Sequence, residues 1–304
     1  MSRAVPADRT AVSPVSGEMA VRPSILGPFL VLLTALVLGA ALVLGPIVGR
    51  GLARSVGPLA TLGWLAVSVY AVGTVWLVLV RWQRREPASV GFHRQTVTVA
   101  NVVGGIALGV GAIALATAVA FAAGGFERTG AAVSEPSLPT GAVGLVAFVL
   151  SSVFQEVFLV SGLMATLRAR WALWPAILLP GVLFALFHLG GDGATVVAAI
   201  NEVLFAVVAG LLFFGPRDRS PALGGPVAWH TAWNMAITFA VGVSLSGTAD
   251  PWGLFGLRST DSLWSGGAFG IEGGLGASLA LAAVIAGLLV KRHAYLTRST
   301  RSAA

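Results

Sequence analysis

Four side chains in this 304-residue chain have the types and spacing for hydrolytic chemistry: Glu156, His188, His230 and Asn234. Each stands inside a long apolar stretch, where an acid costs roughly 2.5 kcal/mol or more to insert at mid-depth in a bilayer. A cost of that size makes every intramembrane carboxylate or imidazole a functional candidate. Glu202 is a further one. His230 and Asn234 are i and i+4, so they project from one helical face, and Phe184 and His188 share that relation. A Glu and a His in near contact can activate water, with the carboxylate as general base. A second His and an Asn amide can donate hydrogen bonds to the oxyanion of amide hydrolysis. This division of labour employs every group except Glu202, for which a structural bond or a supporting role is expected. Glu156, His188 and His230 are also the ligand types of a zinc site, so metal-dependent and metal-free routes both stay open. No metal or other cofactor is obligatory for the chemistry.

The elements that must position these groups are membrane spans. The chain is 56% hydrophobic and 10% charged, against about 25% charged in soluble domains. Runs of roughly 20 apolar residues occur at about 25–49, 57–80, 98–124, 142–167, 172–190, 193–214, 222–245 and 271–290. The expected fold is therefore all-α, a polytopic transmembrane bundle of about eight helices. Residues 1–24 read as a disordered cytoplasmic tail, 25–292 as the membrane domain and 293–304 as a cytoplasmic C-terminal tail. With the N-terminus inside, 15 basic residues fall in cytoplasmic segments and 4 outside, as the positive-inside rule requires. The expectation is a multi-pass protein of the plasma membrane with both termini cytoplasmic.

Net charge is +7, but these residues flank apolar runs, where orientation accounts for them, and no nucleic-acid partner is implied. Cysteine is absent, which excludes disulfides, thiolate nucleophiles and thiolate metal sites. The segment Gly247 to Gly270, with Trp252 and Trp264, reads as an external loop with interfacial aromatics.

Helical rise places the four candidates at comparable depth, about 16 Å from the cytoplasmic end for Glu156, 22 Å for His188, 12 Å for His230 and 18 Å for Asn234. They can meet inside a bundle.

Three segments carry a family resemblance. Phe154-Gln155-Glu156-Val157-Phe158-Leu159-Val160-Ser161-Gly162-Leu163 is similar to the EExxxRG motif of the CPBP family, the CAAX-protease and bacteriocin-processing (Abi) proteins. Phe184 to His188 matches the family's FxxxH, and His230 to Asn234 its HxxxN. The resemblance covers about residues 140–245. It implies an eight-helix intramembrane endopeptidase of the CAAX prenyl endopeptidase kind, often labelled a metalloprotease, acting on a membrane-anchored protein or peptide. Carried over, Glu156 and His188 activate water, and His230 and Asn234 bind the oxyanion. Aligned on Gly162, the chain departs from the motif at Val157, where the family has a second Glu, and at Ser161, where it has Arg. Aligned on the acidic pair, Gln155 takes the first position and Val160 the arginine's. These losses keep an alternative open, a catalytically inactive scaffold or bacteriocin-immunity protein that retains the fold.

Other membrane proteases fit less well. The chain has no HExxH. Ser161 precedes Gly162, but Leu159 occupies the earlier glycine position of a serine-protease GxSG. Gly190-Gly191-Asp192 lacks the partner aspartate of a GxGD enzyme. A transporter reading finds no discontinuous helix pair in matching halves.

Overall fold

A computed structural model describes residues 57–129, 138–216, 221–247, 253–260 and 262–301. The expected first span, 25–49, lies outside them. Each of the seven later apolar runs is a helix. They are α1 (Gly57–Val75), α2 (Val99–Ala122), α3 (Leu138–Glu156), α4 (Leu173–His188), α5 (Val196–Phe214), α6 (Gly224–Met235) and α7 (Leu275–Arg301). Among the described residues five helices are long and apolar enough to cross a membrane, and α4 is a shorter apolar helix. This is a multi-pass, mostly helical membrane protein. The last helix begins at Leu275, four residues later than expected, and runs on to Arg301.

Three helices continue as π-helix: α1 through Trp76–Trp82, α3 through Val157–Met164 and α6 through Ala236–Val241. Such segments are rare and concentrate at functional sites. Here one starts directly after Glu156 and another two residues after Asn234. Thr98 and Thr195 cap α2 and α5, each side chain accepting from a backbone N–H three residues on.

Lipid is as apolar as the helices, so association rests on close packing rather than on the hydrophobic effect. The α2–α6 contact shows it. Gly105 and Gly109 on α2, a GxxxG pair, lie against the α6 backbone. A Cβ at Gly105 would stand 2.5 Å from the Gly225 carbonyl oxygen, and one at Gly109 2.8 Å from that of Trp229. The helix bearing His230 and Asn234 is seated by this contact. α3 packs on α1 and α6, α4 on α5, and α7 on α2 and α5.

The connections group at two ends as the charge pattern requires. At one end His93 Nε2 hydrogen-bonds the Pro221 carbonyl at 2.8 Å, Leu223 N–H donates to Thr96 Oγ1 and Arg292 donates to the Gly215 carbonyl. At the other, strand β1 (Phe126–Arg128) pairs antiparallel with β2 (Leu257–Ser259), and Arg258 pairs with Glu127. The described part of the 247–270 segment packs onto this end of the bundle. Phe269 is 1% exposed, and Trp264 lies against the core.

Candidate active site

Glu156 closes the α-helical part of α3 and is fully buried. His230 Nδ1–H donates to its Oε1 at 2.7 Å. Glu156 Oε2 has no hydrogen-bond partner among the described residues. The imidazole held by this carboxylate is thus that of α6, not that of His188. The His230 ring stands edge-on to Phe205 of α5, at 4.9 Å between centroids, and to Phe184 of α4, at 6.2 Å. Trp229 and Trp233 pack on Phe205 from α6. An aromatic wall from three helices therefore fixes the ring and excludes water from its sides.

His188 ends α4 with a partly exposed side chain, and its ring lies 4.4 Å from that of Phe184. Its Nδ1 is 2.9 Å from the Phe184 carbonyl oxygen. A carbonyl only accepts, so Nδ1 carries the hydrogen and Nε2 of the neutral ring is the lone-pair nitrogen. The carboxylate beside His188 is Glu202 of α5, its Oε2 3.9 Å from Nδ1. Asn234 is 7% exposed, one turn beyond His230. Phe184 neighbours both imidazoles, so the structure brings His188 and His230, the latter bonded to Glu156, to one aromatic ring.

Sequence reasoning did not single out a neighbouring network. Glu272, in the turn before α7, is buried and accepts from Trp233 Nε1 at 3.1 Å and from Ser246 N–H and Oγ–H, both at 2.6 Å. Ser246 holds a left-handed φ of 47°, uncommon for a residue with a Cβ. Burial, and after it the charge of Glu202, raises the Glu272 carboxyl from its ordinary 4.5 to about 7; the Ser246 and Trp233 hydrogen bonds and the charge of His188 oppose this. Asn201 Nδ2 donates to the carbonyls of Glu272 and Gly274, and its Oδ1 accepts from Ser278. The polar character of Asn201 inside an apolar helix was the available signal. Glu272 lies at the rim of the expected span, where a depth criterion passes it over.

The residues present do not form a zinc site. Glu156 Oε1 and His230 Nδ1 are bonded to each other, and among the described residues no three His, Asp or Glu side chains are grouped to hold a metal ion. The metalloprotease label implied by the resemblance has no support among the described residues.

The two motif departures share one place. Val157 and Ser161 are four apart on the α3 extension and are 1% and 0% exposed. Where the family motif has an acid and an arginine at this spacing, the chain has a small apolar residue and a hydroxyl, so both charges are absent together.

A multi-pass helical membrane protein with a buried carboxylate–imidazole couple between spans is the class this fold and site define. Residues 137–236 match the family model described as Rce1-like, type II CAAX prenyl endopeptidase Rce1-like. The matched stretch is a domain of this protease family, about a third of the chain, and it contains Glu156, His188, Glu202, His230 and Asn234. No curated protein and no solved structure matches the chain.

Proposed function

We propose that the chain is an intramembrane endopeptidase that hydrolyses a peptide bond of a membrane-anchored protein or peptide, with a prenylated CAAX-type C-terminus as the substrate class the family name suggests. One observation carries this reading: a fully buried Glu156 bonded at 2.7 Å to His230, with its other oxygen unpartnered among the described residues. An orphan carboxylate oxygen in an apolar interior is costly, and a water nucleophile supplies the donor it lacks.

In this scheme Glu156 Oε2 takes a proton from water while His188 Nε2 orients that water as acceptor. The hydroxide adds to the scissile carbonyl carbon. The Asn234 amide, and His230 Nε2–H when the ring carries both protons, donate to the resulting oxyanion. Glu156 returns its proton to the leaving amide nitrogen as the C–N bond breaks, so acid and base are one group used twice. The arginine-rich end with His93, Thr96 and Arg292 faces the cytoplasm, and the β1–β2 end faces outward.

The alternative, a family member without catalysis, draws its support from Val157 and Ser161. One experiment separates the two. The purified protein in liposomes is given an internally quenched farnesylated CAAX peptide and its unprenylated counterpart. Cleavage of the farnesylated peptide, lost in His230→Ala and Asn234→Ala, supports the protease. Cleavage of neither peptide supports the inactive form, and equal cleavage of both removes the prenyl requirement.

A further inference from the structure

From the placement of Glu202 we infer that it is a positioning residue for the reaction, pairing with His188 as a second carboxylate–imidazole couple beside Glu156–His230. The inference rests on the protease reading above.

Glu202 sits in the middle of an apolar span and is 6% exposed. A carboxylate there demands compensation. Among the described residues neither lysine nor arginine pairs with it, and the imidazole facing it is that of His188, with Oε2 3.9 Å from Nδ1. The other buried acid nearby, Glu272, is already engaged by three donors from Trp233 and Ser246. Among the described residues Glu202 has no hydrogen-bond donor of that kind, and the imidazole it faces is that of His188.

The aim of Glu202 is built into α5. Asn201, its chain neighbour, donates to the carbonyls of Glu272 at 2.7 Å and Gly274 at 2.9 Å and accepts from Ser278 at 2.7 Å. Three bonds to the start of α7 fix the rotation of α5 and turn the adjacent residue towards α4. On α4, the Phe184 carbonyl sets the His188 tautomer with the proton on Nδ1. Nε2 then accepts a hydrogen bond from the water that gives its proton to Glu156, and the Glu202 carboxylate stands behind the ring, on the side away from that water. A carboxylate in that position orients the ring and strengthens Nε2 as an acceptor, though it never touches substrate. This supplies an acid to the water-orienting histidine in a chain whose motif has Val157 in place of its second Glu.

The test is a double-mutant cycle on the farnesylated peptide in liposomes, with Glu156→Gln as reference and melting temperature in detergent as a check on folding. Glu202→Gln is expected to lower kcat at least about tenfold with KM unchanged. Glu202→Asp, which keeps the charge, recovers most of the kcat. In a His188→Ala background Glu202→Gln costs nothing further, because the two act as a unit. The inference is overturned if Glu202→Gln keeps wild-type kcat, or if its loss multiplies fully onto that of His188→Ala. Either result alongside a dead Glu156→Gln leaves the protease reading standing. A Glu156→Gln enzyme as active as the wild type removes both.

Discussion

Two adjacent glycines on α2 offer a controlled perturbation of the site from a distance. A Cβ at Gly104 meets nothing within 4 Å, whereas one at Gly105 comes 2.5 Å from the Gly225 carbonyl oxygen and 2.9 Å from both Ala228 Cβ and Trp229 N. Ordinary contact begins at 3.4 Å, so α6 must retreat by 0.9 Å, the difference between 3.4 and 2.5. The opposing atoms are largely backbone, so no rotamer change relieves them. Both alanine variants gain the same helix propensity, and this term cancels in their comparison. What remains is overpacking, about 1–3 kcal/mol, which Gly105→Ala bears and Gly104→Ala does not. The displaced helix carries His230 and Asn234, and a misplacement near 1 Å costs roughly 10²-fold in rate. Thermal denaturation in detergent and peptide cleavage in liposomes read the two effects. Gly105→Ala should be less stable than Gly104→Ala and about 10²-fold slower, with Gly104→Ala at wild-type rate. If Gly105→Ala is as stable and as fast as its neighbour, the α2–α6 contact does not seat the site.

Two other expectations concern buried charge. Val157→Glu or Ser161→Arg alone should destabilise the protein by about 3–5 kcal/mol by burying an unpaired ion, while the double variant should cost clearly less than the sum; denaturation midpoints of the three decide it. Glu272 is raised from 4.5 to about 7 by burial, so between these values the folded protein holds a proton that the unfolded chain has released. The stability from this group is full below about pH 4.5 and is lost as pH rises through about 7. The melting temperature of the wild type should fall over that window relative to Glu272→Gln, and parallel pH profiles would contradict the assignment.

Hydropathy made the helices legible, because a span advertises itself by length and apolar content. Seven expected runs recur as α1 to α7 with ends within a few residues, apart from the N-terminal extension of α3 to Leu138 and the C-terminal extension of α7 to Arg301. Depth along each helix was legible too, since rise per residue is fixed. Rotation about the axis was not. Depth arithmetic could not say whether Glu156 would face His188 or His230, and the π segment after Glu156 changes the rotation of everything beyond it without any sequence mark. The pairing of Phe126–Arg128 with Leu257–Ser259 spans more than a hundred residues and follows from which loops share an end of the bundle, not from local pattern. Glu272 and Ser246 escaped notice because a residue at the membrane rim carries no insertion cost to flag it.

The most direct measurement is single-turnover cleavage of the farnesylated peptide by Glu156→Gln in liposomes. Glutamine keeps an acceptor for His230 Nδ1–H but cannot take a proton from water, so the variant should fold and melt like the wild type. Its cleavage should fall at least about 10²-fold. A folded Glu156→Gln protein that cleaves at the wild-type rate would contradict a catalytic carboxylate at this position.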